Sequence, residues 1–93
     1  MYRDEPLDDE AELRFVVGDD EVDLLRDAGS GEATDAALDA LRVLQGWVSD
    51  EVAGRWFRQE QRRLGGRTPI RALVEGDLDA VLDAARAYAA AHG

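Results

Sequence analysis

This sequence predicts a small all-α fold, on three observations. Apolar residues recur at helical spacing over most of the chain, capping residues stand just ahead of those stripes, and glycines stand just after them. The expected architecture is a bundle of about four to five helices, with a short helix begun by Thr68 and Pro69 between the two longest C-terminal ones. At 93 residues the chain makes one compact unit. A domain of this size buries only about 60 to 65% of its unfolded surface, so association would suit it.

Residues 1–32 read as an acidic N-terminal segment, partly flexible and carrying one short helix; residues 33–93 read as the helical domain proper. From Met1 to about Glu12 the chain is acidic, contains Pro6 and offers little to bury, so it is expected to fray or to order on a partner. Leu13-Arg14-Phe15-Val16-Val17 has strand-like composition. No second convincing strand is available to pair with it, which favours a helical turn or a segment packed on the helices. Asp19 to Ala28 reads as a short helix with acids in its first turn, Val22, Leu24 and Leu25 on its apolar face and Gly29 as its stop. Gly29-Ser30-Gly31 is a joint.

From Ala33 or Thr34 to Val48, the residues Ala37, Leu41, Leu44 and Val48 keep helical spacing. Ser49 caps the next helix, with Asp50 and Glu51 in its first turn. Val52, Trp56, Phe57 and Leu64 lean inward until Gly65 and Gly66 end it, and the run Arg58-Gln59-Glu60-Gln61-Arg62-Arg63 is able to continue the helix. Thr68 caps a short helix with Pro69 at its first position, where the missing N–H costs nothing. After Gly76, Asp77 caps the last helix, whose stripe is Leu78, Val81, Leu82, Ala85, Tyr88 and Ala89.

The formal net charge is -10, and all 11 basic residues are arginine. Four arginines face sixteen acids in residues 1–54, six face one in 55–71, and one faces four in 72–93. Phosphate backbones repel such a chain, so direct nucleic-acid binding is not expected. The basic stretch either balances its acidic surroundings or meets an acidic partner or an acidic region of a second copy. Arg55, Arg58 and Arg62 share one face if the helix is continuous. Trp47 and Trp56 read as core or interface aromatics, and one that stayed exposed would be a candidate partner anchor. For Arg67 two roles stay open, bonding the carbonyls at a helix end or touching a partner.

An enzyme reading has little support, although two of the many carboxylates could in principle do acid/base work. His92 is the sole histidine and stands next to last, so neither a triad nor a histidine metal site assembles within one chain. Asp77, Asp79 and Asp83 near Glu75 lack the spacing of a calcium loop. No cofactor and no metal are expected. Without cysteine there is no disulfide framework, and no apolar run approaches the roughly 20 residues that span a bilayer. Met1 to Pro6 leads straight into acid rather than a leader peptide, so a cytoplasmic location is expected.

Trp56, then Leu64-Gly65-Gly66-Arg67-Thr68-Pro69, then Leu73, Gly76 and Val81-Leu82, resemble the toxin-binding domain of the Xre/MbcA/ParS antitoxins over roughly residues 38–93. Two departures stand out. Relatives often place a Pro-Asn-type break before the Leu-Gly, where this chain has Arg58 to Arg63, and many carry an N-terminal helix-turn-helix that residues 1–37 do not show. The resemblance implies an antitoxin that sequesters a RES-domain toxin, an NAD-destroying enzyme, by covering its NAD pocket, and that commonly dimerises. Trp56, Leu64, Gly65, Gly66, Thr68, Pro69, Leu73 and Gly76 are then structural. Arg55, Arg58, Arg62, Arg67, Tyr88, His92 and Gly93 are the expected partner contacts, with a slim alanine-rich helix end and a terminal carboxylate suited to a concave site. Two other classes fit the same chain: a self-associating helical adaptor without a toxin, and, from charge alone, an acidic mimic of nucleic acid.

Overall fold

A computed structural model of the chain describes residues 9–28 and 31–92. The described residues form six α-helices, α1 (Asp9–Val17), α2 (Asp19–Asp27), α3 (Gly31–Gln45), α4 (Asp50–Arg58), α5 (Pro69–Val74) and α6 (Leu78–His92), with a 3-10 turn at Arg62–Leu64 and no strand among them. The all-α expectation holds, and the Thr68-Pro69 helix lies between α4 and α6 as anticipated.

The segment Leu13 to Val17 is helical because Leu13, Val16 and Val17 fall on one face at i, i+3 and i+4 and are buried there. The fraying expected up to Glu12 is corrected for Asp9–Glu12, which form the first turn of α1; residues 1–8 lie outside the described residues. What holds that turn is electrostatic. Arg42 donates to Glu12 at 2.8 Å and to Asp9 at 3.0 Å, and Gln45 donates to Glu12 at 2.9 Å. The hydrogen bond from Gln45, and then that from Arg42, holds the Glu12 carboxyl below its ordinary value.

In α2, Val22 and Leu25 point inward, but Leu24 does not and is 53% exposed. A nine-residue helix buries one stripe, and Leu24 lies about 100° around the helix from Leu25. The stop expected at Gly29 falls outside the described residues. Ser49 caps α4 as anticipated, its Oγ accepting from the Val52 N–H at 3.3 Å.

The most extensive packing joins α3 to α6. Ala33, Ala36, Ala37 and Ala40 of α3 and Ala84, Ala85 and Ala89 of α6 are all buried, and small faces of this kind let helix axes approach closely. Leu41, Leu44, Phe57, Leu64, Leu73 and Val81 fill the rest, and one core takes in Leu13 through Ala85. Trp56 and Phe57 are neighbours in sequence and both buried, meeting edge to face with ring centroids 5.2 Å apart.

The crossing of α1 and α4 depends on Gly54. It is buried, and a Cβ there would fall against the Val16 carbonyl oxygen, a backbone atom that only a shift of the whole helix relieves. Gly54→Ala is therefore expected to destabilise the fold. Overpacking costs about 1–3 kcal/mol, and the better helix propensity of alanine returns about 1 of that. Denaturant unfolding at pH 7 checks it, and a midpoint equal to or above wild type would show that α1 does not rest on α4 in this way.

Candidate functional site

The stretch from Gln59 to Asp77 turns the chain three times. The helix expected to run from Ser49 to Leu64 ends instead at Arg58; Gln59 and Gln61 are extended, and the chain re-enters a 3-10 turn at Arg62. The cause is tertiary. Gln61 organises the turn, its carbonyl accepting the N–H groups of Leu64 and Gly66 at 3.0 Å each and its own N–H donating to Arg67 at 3.0 Å. Its side-chain amide satisfies the Trp56 and Gln59 carbonyls at 3.3 Å each. Leaving the helix here lets Leu64 turn into the core.

Gly65 and Gly66 follow with φ of 70° and 87°, a left-handed pair that residues with a Cβ adopt only at a cost. Thr68 then caps α5, its Oγ1 accepting from the Arg71 N–H at 3.1 Å, with Pro69 in the first turn as expected. Asp77 precedes α6, and its carboxylate is engaged by Arg67. Arg67 spans the whole corner. Its Nε donates to the Leu64 carbonyl at 2.8 Å, one terminal nitrogen to Glu75 at 2.9 Å and the other to Asp77 at 2.7 Å. Arg71 takes the second Glu75 oxygen at 2.8 Å. The Glu75 carboxyl is consequently held below its ordinary value, first by Arg71 and then by Arg67, while hydrogen bonds from Asp77 and then Glu75 raise Arg67.

The corner separates two kinds of surface. On one side Leu24, Ile70 and Val74, rimmed by Thr68 and the Arg71–Glu75 pair, line an open groove of about 480 Å³. On the other, Ala84, Ala87, Tyr88 and Ala91 of α6 meet Trp56 and the turn at Gln61, Arg62 and Arg63 around a groove of about 250 Å³. Tyr88 is half-buried beside Trp56, centroids 6.1 Å apart, and stacks on His92 at 4.1 Å. The His92 Nδ1 lies 2.9 Å from the Tyr88 carbonyl oxygen.

The expected partner contacts are therefore only partly brought together. Arg55 and Arg58 lie on α4, but the end of that helix removes Arg62 from their shared face, a correction to the i, i+3, i+7 reading. Arg55 stands 3.9 Å from Glu51, and Arg58 donates to the Val17 carbonyl at 2.6 Å. Arg62 instead joins Tyr88 at the alanine-floored groove, His92 stacks on Tyr88 beyond it, and Gly93 lies outside the described residues. Sequence reasoning passed over Gln61, which gave no signal, and Arg63, which did through its adjacency to Arg62. It also passed over Phe15, which is 81% exposed, whereas the exposed tryptophan it asked for is Trp47, at 58%. Among the described residues no three metal-ligating side chains converge, and no helix is long and apolar enough to cross a membrane.

A family model described as the antitoxin Xre/MbcA/ParS C-terminal toxin-binding domain matches residues 12–87. That stretch begins earlier than the resemblance over 38–93, taking in most of α1 and all of α2. Neither a curated protein nor a solved structure matches the chain significantly.

Arg67→Gln should lower the melting temperature at pH 7 and flatten its acid dependence. Glu75 has a depressed folded pKa, so its contribution is present above the unfolded value of 4.5 and is lost as pH falls through the folded value. Thermal scans from neutral to about pH 3 check this. Parallel curves for the two proteins would mean that the Arg67 clamp carries no pH-dependent stability.

Proposed function

The chain belongs to the Xre/MbcA/ParS C-terminal toxin-binding domain family of antitoxins, and from that premise we propose that it neutralises a RES-domain, NAD-degrading toxin by covering the toxin's active site. The family match over residues 12–87 carries this reading, because it spans the corner whose every motif residue has a structural part to play. The protein acts in the cytoplasm, as a homodimer, and has no catalytic step of its own. In this reading Arg62 meets the toxin beside Tyr88, Arg55 and Arg58 add contacts from α4, Arg67 chiefly holds the corner in shape, Trp47 adds an exposed aromatic anchor, and Tyr88, His92 and Gly93 form the part that enters the pocket.

The matched stretch stops at Ala87, and the shape of the helix end beyond it supports its entry into the pocket. Ala87, Ala90 and Ala91 keep the end of α6 slim while His92, stacked on Tyr88, extends the aromatic surface toward the chain end. A narrow helix end of this kind suits a concave site. Ala89 is buried in the bundle, so the informative truncation starts after it.

Coexpression with the product of the neighbouring gene, followed by copurification and an NAD assay, tests the reading. The full chain is expected to copurify with a RES-domain protein and to hold NAD at the level of cells without toxin. Deleting residues 90–93 should keep most of the binding and lose most of the protection. Full protection by the shortened chain would mean that inhibition comes from elsewhere on the surface, and failure of the full chain to bind would remove the toxin assignment itself.

A further inference from the structure

Ten arginines lie among the described residues, and eight of them are held by a carboxylate or a carbonyl oxygen. The two that are not, Arg62 and Arg63, are adjacent and exposed. In a chain of net charge -10, where acids outnumber bases and most described arginines already have a carboxylate or carbonyl partner, this pair is a place where an acidic group can be added. It borders the alanine-floored groove between Trp56 and Tyr88. With about 250 Å³ the groove falls below the roughly 300–1,000 Å³ of small-ligand sites, and it fits one or two side chains of an extended peptide.

A segment with matching chemistry lies in the chain itself. Tyr2-Arg3-Asp4-Glu5-Pro6-Leu7-Asp8 offers three carboxylates, two apolar anchors and a proline that biases Glu5 toward extended backbone. Its point of attachment decides whose groove it meets. Helices α1 and α4 run side by side in the same direction: at their starts Gln45 bonds both Glu12 and Asp50, and at their ends Arg58 bonds the Val17 carbonyl. The groove lies past the end of α4, at Arg62 and Arg63, while the chain preceding Asp9 joins α1 at the opposite end. Reaching its own groove requires the segment to double back along α1, whereas a second copy meets it without reversal. Eight extended residues span at most about 26–29 Å, ample for such an exchange.

We propose that residues 2–8 of one chain dock in the Arg62–Arg63 groove of a second copy, with Leu7 on the alanine floor and Asp4, Glu5 and Asp8 facing the two guanidinium groups. The exchange is reciprocal and gives a two-fold dimer. Arg62 and Tyr88 also belong to the surface proposed for the toxin, so arm and toxin exclude each other there.

A charge swap in the full-length protein tests it. One variant carries Arg62→Glu and Arg63→Glu; the other carries Asp4→Arg, Glu5→Arg and Asp8→Arg. Wild type is expected to scatter light at twice the 10.2 kDa chain mass at high micromolar concentration, and each variant alone at the single-chain mass, its dimer dissociation constant raised at least about tenfold. An equal mixture should regain the dimer, because each acidic arm then meets a basic groove and each basic arm an acidic one. Circular dichroism of each variant matching wild type shows that the bundle is intact. A monomeric wild type, a variant that dimerises as wild type does, or a mixture that stays monomeric overturns the proposal; the last outcome, with wild type dimeric, assigns the arm to its own chain.

Discussion

The three-way grip of Arg67 is the interaction on which the rest of the corner depends. A guanidinium group is planar and presents its donors as a fixed fork, so one side chain bonds a main-chain carbonyl and two carboxylates at once where an ammonium would meet them as a point charge. Here the three acceptors belong to three successive elements: Leu64 ends the 3-10 turn, Glu75 follows α5 and Asp77 precedes α6. Fixing them together fixes the direction in which α6 leaves. That direction matters because α6 supplies half of the alanine-faced packing with α3 and carries Tyr88 and His92 outward at its far end. Exposure limits what each ion pair is worth singly, and the value of the clamp lies in geometry more than in Coulomb energy. Between the two roles left open for Arg67, its bonds favour the structural one.

The same logic explains why α5 is so short. Six residues have little helical stability of their own, since nucleating a helix is unfavourable and propagation adds one bond per residue. Three stabilising devices are present: the Thr68 cap, Pro69 in its first turn, and a Glu75 carboxylate bonded to Arg71 one turn earlier. Ile70, Ala72 and Leu73 are buried, so tertiary packing supplies what length does not.

Most of the fold was legible in the sequence because local and tertiary signals agree there. Ser49 and Thr68 cap the helices they precede, and Ala37, Leu41, Leu44, Val81 and Ala85 are buried as their spacing implies. The misreadings fall where they disagree. Arg58 to Arg63 is made of good helix formers, yet the helix ends at Arg58 because Leu64 must reach the core and Gln61 can satisfy the carbonyls left behind. Nothing in a glutamine announces that role. Asp9 to Glu12 looked like a fraying end because their partners, Arg42 and Gln45, lie some thirty residues away and no local pattern connects them. Gly54 was invisible for a related reason: a glycine inside a helix lowers propensity, and only the approach of α1 shows what its missing side chain permits. At the candidate site, Tyr88 was found from the stripe of α6 while its meeting with Arg62 and Arg63 was not, since that meeting depends on the unforeseen turn.

Charge placement gives the surface its direction. Five of the acids that crowd the N-terminal half are engaged in ties within and between its helices: Arg14 reaches Glu10, Asp19 and Asp23, and Arg42 reaches Asp9 and Glu12. Such pairs tie α1 to α2 and α1 to α3 while leaving the exterior strongly negative. Within a Debye length of about 8 Å at physiological salt, the Arg62–Arg63 pair, without a carboxylate partner among the described residues, is then a feature that an approaching acidic group can distinguish from its surroundings. The groove beside it adds an apolar contact that a counter-ion cannot use. Selection at this face therefore requires both a carboxylate and a hydrophobic side chain close together in one segment, which is a more demanding condition than either charge or apolar surface sets alone.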